Sequence, residues 1–113
     1  MTRNIEVSEE TYLKIKDQLS EEEVFDINSY DDLVGKKFFF RTVTFHMTGQ
    51  VTGIVGSIAK LKDAAWIPDT GRFSQFIKDG KLNEVEPVGE AYINLQTVVD
   101  FFPWKHKLPK EQK

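Results

Sequence analysis

From Phe38 to Met47 the chain is rich in aromatic and β-branched side chains and has neither Gly nor Pro, a composition that favours an extended strand. In its second half Val43, Phe45 and Met47 alternate with Thr42, Thr44 and His46, the period-two pattern of a sheet with one wet side. Phe38, Phe39 and Phe40 break the alternation. Three successive rings address both faces, so either that end is covered on both sides or one face serves a partner. Thr48-Gly49-Gln50 predicts a turn, and Val51 to Val55 predicts a return strand in which Gly53 and Gly56 mark bulges or close backbone approach. Ser57 to Lys62 predicts a third short strand, after which Ala64-Ala65-Trp66-Ile67 packs back on the sheet. The core expected from this alternation is Phe39, Val43, Phe45, Val51, Leu61, Trp66, Ile93 and Val99.

The flanking segments carry helical signals. Ser8 as an N-cap, Glu9 and Glu10 in the first turn, and Tyr12, Ile15 and Leu19 at three- and four-residue spacing predict a short amphipathic helix. Ser20 to Glu23 has capping-box spacing, and Ser29 to Gly35 reads as a brief helical turn delivering the chain into the first strand. After Ile67, Pro68-Asp69-Thr70-Gly71 leads into a helix over Arg72 to Asp79, with Phe73, Phe76 and Ile77 on one face and Gly80 as its stop. Ala91 to Leu95 and Gln96 to Phe102 predict the closing strands, ended by Pro103. The fold expected is mainly β (α+β), a small bent antiparallel β-barrel of about five strands with an N-terminal helix and a short inserted helix. Residues 1–35 form its acidic helix and linker, 36–103 the barrel with the helix inserted over 70–79, and 104–113 a basic tail.

Size and charge narrow the classes of function. The 113 residues make one domain, and zero cysteines exclude disulfides and thiolate chemistry. No apolar run approaches the ~18 residues of a membrane span, and MTRNIEVSEE lacks a signal-peptide core. The expectation is a soluble protein made in the cytoplasm. The net charge of −3 is unevenly spread. Residues 1–35 hold ten acids against three bases, whereas the last ten residues, WKHKLPKEQK, hold four lysines against one glutamate. Two solvated ends, or head-to-tail attraction between copies, both satisfy that polarity.

Candidate chemistry is sparse. Asp69-Thr70-Gly71 matches the aspartic-protease tripeptide, in which two carboxylates share a proton, but Pro68 precedes it and Arg72 opens a helix, so Asp69 or Thr70 reads as a helix cap. The run Gly53 to Lys60 lacks the Gly-Lys-Ser/Thr ending of a phosphate loop. His46 and His106 stand far apart with no carboxylate at ligand spacing. The sequence therefore points to no catalytic residue, no metal ligand and no cofactor. Trp66 reads as core; Trp104, beside the basic tail, reads equally as core or interface.

The order of elements, with Gly49, Leu61-Lys62-Asp63-Ala64 and Tyr92-Ile93-Asn94-Leu95 at the positions of a turn glycine, a third strand and a fourth strand, resembles the small Sm-like and SH3-like β-barrels. Gly89-Glu90 stands where the Sm pattern has an Arg-Gly. Arg41 to Thr44, Asp63 to Ile67, Asp69 to Phe73, Asn83 to Pro87 and Trp104 to Pro109 are similar to segments of a family of small, functionally unassigned phage and bacterial proteins. That resemblance implies no nameable activity. The function expected is that of a non-enzymatic structural or assembly protein, a phage virion or phage-associated component that binds other protein subunits as a homo-oligomer or part of a larger assembly, with no membrane partner. Its candidate interface comprises Tyr12, Ile15, Leu19, Phe38, Phe40, Trp104, Lys105 and Lys107. The alternative is an Sm-like RNA or single-stranded nucleic-acid binder, with Lys36, Lys37, Arg41 and the tail lysines supplying charge and Tyr92 or Phe40 a stacking face, although the sequence presents no basic stripe with interleaved aromatics within the sheet.

Overall fold

The computed structural model describes residues 26–113. Strands β1 (Lys37–Thr42), β2 (His46–Val55), β3 (Ile58–Asp69), β4 (Glu84–Asn94) and β5 (Val98–Pro103) form one antiparallel sheet in the order β4-β3-β2-β1-β5. A 3-10 turn, Tyr30–Leu33, precedes β1; helix α1 (Phe73–Asp79) joins β3 to β4; a second 3-10 turn, Leu95–Thr97, joins β4 to β5.

The three phenylalanines of β1 explain the layering. Alternation sends Phe38 and Phe40 to one face, where they join Leu33, Met47, Val51, Leu61 and Ile93. Phe39 points to the other face and joins Ile67, Phe76, Val85 and Trp104. All three rings are buried, so β1 is covered on both sides. On the second face Phe39 stacks on Phe102 at a centroid distance of 5.1 Å, on Trp104 at 5.8 Å and against Phe76 at 5.0 Å. Such ring pairs contribute ~0.5–1.5 kcal/mol each beyond their buried area.

The sheet is not closed into a barrel, which corrects the expected architecture. Register shifts in the β1–β5, β2–β3 and β3–β4 ladders bend it, but closure needs a ladder between the outer strands, and among the described residues β4 and β5 form ladders only with β3 and β1. β5 ends at Pro103, and the C-terminal segment follows it.

The strand boundaries also move. The expected strand from Phe38 to Met47 is broken at Val43–Phe45, where the Thr42 N–H donates to Phe45 O (2.9 Å) and the Thr42 hydroxyl donates to the same oxygen (2.7 Å). A side-chain hydroxyl stabilises this turn, and the β-branched sequence there carries no Gly or Pro signal. Gly49 lies inside β2, where an added Cβ would stand 3.1 Å from Leu61 Cδ1. It serves close strand packing, and the chain reverses at Gly56, with φ of 61°. Of the expected core, Phe39, Val51, Leu61 and Ile93 are buried, whereas Val43 (87% exposed), Phe45, Trp66 (50%) and Val99 face solvent because the turn comes earlier than the pattern implied.

Neither Asp69 nor Thr70 caps α1. The N-cap is Arg72, with no side-chain cap. Asp69 Oδ1 accepts from the Gly71 N–H at 2.9 Å and Thr70 Oγ1 donates to Gly71 O at 2.7 Å, so both stabilise a turn two residues ahead of the helix. Of the expected apolar face of α1, Phe76 alone is buried, and Phe73 and Ile77 are exposed. Gly80 ends the helix in the left-handed conformation, as expected. The N-terminal helix expected around Tyr12, Ile15 and Leu19 lies outside the described residues.

Phe39→Ala should cost ~3–5 kcal/mol through lost transfer energy and the cavity left among Phe76, Phe102 and Trp104, and Phe45→Ala less than ~1 kcal/mol. Chemical denaturation of the two variants checks this; the reverse order would show that the second face is not core.

Candidate functional site

The segment after β5 is the least conventional part of the structure. Trp104 donates its backbone N–H to Lys37 O (2.9 Å) and its indole Nε1–H to Lys107 O (3.0 Å), with its ring buried against Phe39 and Phe76. His106 Nε2 lies 2.9 Å from Ile77 O at the end of α1, beneath Gly80, where an added Cβ would come within 2.7 Å of the imidazole. Lys37 Nζ donates to His106 O at 2.7 Å. Farther on, Lys113 and Val85 exchange backbone hydrogen bonds of 3.0 and 3.2 Å. The segment thus runs as a strap from β5 across the second face to β4, where sequence polarity alone suggested a solvated tail.

This arrangement redistributes the expected interface. Phe38, Phe40 and Trp104 are buried in the chain's own core and offer no surface, because the two faces of β1 are already covered; Lys105 and Lys107 are exposed. Trp66 and Trp104 exchange the roles expected of Trp66, since Trp66 projects outward beside Phe45, its ring centroid 5.9 Å away. Tyr12, Ile15 and Leu19 fall outside the described residues.

Between strap and sheet lies a cleft of about 770 Å³ lined by Lys37, Gln50, Asp63 and residues 107–113. Lys37 and Gln50 of its lining are register partners on β1 and β2, and the cross-strand row continues from Gln50 to Lys62 on β3. Because Ala59, Leu61 and Ile93 belong to the first-face cluster, alternation puts Lys60, Lys62 and Tyr92 on the second face. Lys60 is the register partner of Tyr92, which is 66% exposed. Sequence reading named Lys37 and Tyr92 for nucleic-acid contact but missed Lys60, Lys62 and their alignment, because the members of this stripe come from different strands. The signal was present in the alternations Lys60-Leu61-Lys62 and Ala91-Tyr92-Ile93, and only the register brings them together.

The two sheet edges are the other exposed feature. The Trp104 N–H on Lys37 O sets the ladder phase of β5, so the amide of Phe101 faces away from β1. Likewise the Leu95 N–H on Ser57 O (2.8 Å) turns the amides of Glu90 and Tyr92 away from β3. Lys113 occupies the β4 edge at Val85.

The remaining polar groups are structural. Arg41 forks onto Asp100 with contacts of 2.7 and 2.6 Å. This hydrogen-bonded pair holds the Asp100 carboxyl below its ordinary value and the guanidinium above. Asp79 is held low by the Lys81 backbone N–H and then by the Gln75 amide. Among the described residues no three His, Asp or Glu side chains converge to hold a metal ion, and no helix is long and apolar enough to cross a membrane.

No protein-family model matches the sequence, and no curated protein matches it. Among solved structures, similarity is found to a heptameric archaeal Sm protein, at a TM-score of 0.45 and 19% identity over 64% of this chain and 90% of that one. The P. aerophilum SmAP1 heptamer is similar at a TM-score of 0.45 and 19% identity over 64% of this chain and 82% of that chain.

Because Asp79 and Asp100 titrate lower folded than unfolded, their stabilisation is complete above the unfolded value of about 4 and is lost as pH falls through the folded values. The melting temperature should therefore drop on acidification below about pH 4. A variant carrying Asp79→Asn and Asp100→Asn should show a shallower drop; superimposable profiles would remove these two carboxylates from the acid response.

Proposed function

We propose that the chain is a non-enzymatic assembly module whose copies join edge to edge, β4 of one against β5 of the next. The observation that carries this is the open order β4-β3-β2-β1-β5, with outward amides on both outer strands. An unpaired edge is a template for another strand, and β4 and β5 are antiparallel-sheet edges of comparable free length once Lys113 has taken Val85. Two different edges make a heterologous contact, which yields a ring if the rotation closes and a filament if it does not. The finer reading, a phage particle component or a phage-associated ring or decoration subunit, is supported by the sequence segments from Arg41 to Pro109 that resemble a phage and bacterial family. On this reading the acidic segment with Tyr12, Ile15 and Leu19 serves attachment to a neighbour.

A second reading, single-stranded nucleic-acid binding, is favoured by one arrangement, the exposed Tyr92 ring beside Lys60 on the second face. An aromatic face with an adjacent cation suits an unstacked base and its phosphate.

Sedimentation of the intact chain tests the first reading. A single species larger than a monomer is expected. Glu90→Pro should shift it to monomer with unchanged far-ultraviolet dichroism, since Glu90 is exposed on β4 and only its outward N–H is lost. A monomeric wild type, or a Glu90→Pro protein that assembles normally, would refute edge pairing.

A further inference from the structure

We propose that the second face carries a defined track for a single-stranded nucleic acid, entering the cleft under the strap at Lys37 and Lys107, crossing Lys62 and Lys60, and ending in a base stacked on Tyr92. It rests on the second reading above and names the residues that would carry it.

The geometry supplies both components of such a site. Lys37, Gln50 and Lys62 are successive register partners across three strands, a row about 10 Å long at the usual strand spacing. Lys60 continues the row along β3, and Tyr92 lies one strand farther on. The Lys60 side chain runs along Gly53, where an added Cβ would stand 3.6 Å from its Cδ. Since glycine adds no side chain, the Lys60 stem lies flat on the backbone there. Among the described residues, Lys60, Lys62 and Lys107 make no ion pair, so their charge is not neutralised internally. The acids nearby are Asp63 and Glu111 in the cleft, where Asp63 already faces Lys110 Nζ at 3.7 Å, and Glu90, which alternation puts on the same face two residues before Tyr92.

Lysines act as point charges towards phosphate oxygens and carry no base preference. The track therefore selects a flexible phosphodiester chain, and the single exposed ring at its end selects one whose bases are unstacked. A duplex keeps its bases within the stack and would contact the lysines alone. An acidic polypeptide would also meet the lysines, but the ring would add little to its affinity.

The test is fluorescence anisotropy of the intact chain with a labelled oligothymidylate of about 20 nucleotides, titrated over a series of salt concentrations. Four phosphate contacts give an expected slope of log K against log salt of about −3, and a variant with Lys60→Gln and Lys62→Gln should flatten it by about 1.4. Tyr92→Ala should weaken binding about 5- to 150-fold while leaving the slope unchanged. Sedimentation of each variant should match wild type, which separates loss of the track from loss of assembly. Binding that all three substitutions leave intact overturns the track but keeps the nucleic-acid reading. No binding even at low salt overturns both. Equal competition by polyglutamate, with no effect of Tyr92→Ala, assigns the surface to an acidic protein and overturns the nucleic-acid track.

Discussion

Three adjacent phenylalanines in one strand impose the organisation of this protein. Consecutive residues of a strand point to opposite faces, so Phe38-Phe39-Phe40 cannot be buried by a sheet with a single dry side. On the first face the requirement is met by residues of the neighbouring strands and by Leu33 and Leu95 from the two 3-10 turns. On the second face strands alone are insufficient. Phe76 from α1 and Trp104 from the strap close over Phe39, and the strap is locked by the Trp104 indole, His106 and Lys37 contacts.

That second cover is partial, and its partial extent produces the surface features. Where α1 and Trp104 pack, the face is apolar and dry; beyond them, the same face presents Lys37, Gln50, Lys60, Lys62 and Tyr92. The strap crosses the boundary and forms one wall of the cleft. Because the chain after β5 is used as cover, it is not used to close the sheet, and among the described residues both edges stay open apart from the single Lys113–Val85 exchange. Covering Phe39 and leaving the edges unpaired are thus two results of one path.

The sequence carried the element types well. Strand composition, the Gly35 and Gly80 stops and the short helix around Phe76 are local signals and lie where local chemistry puts them. Register was harder to read. Thr42 forms a turn through its hydroxyl in a stretch that reads as strand, and Gly49 serves packing in a stretch that reads as turn. A shift of that size exchanges inside for outside, which is why Val43, Phe45 and Trp66 face solvent. The stripe of lysines with Tyr92 is a product of cross-strand pairing over three ladders, so no window of sequence contains it.

The central claim, that the sheet ends in two free edges which continue between copies, is tested most directly by amide hydrogen exchange measured across a dilution series. In the assembled protein the outward amide of Phe101 on β5 and those of Glu90 and Tyr92 on β4 should be protected together. Dilution to monomer should expose both sets at once, while amides of the central strand β2 stay protected. Protection of one edge alone, or fast exchange at both edges at every concentration where the protein is assembled, would contradict the account.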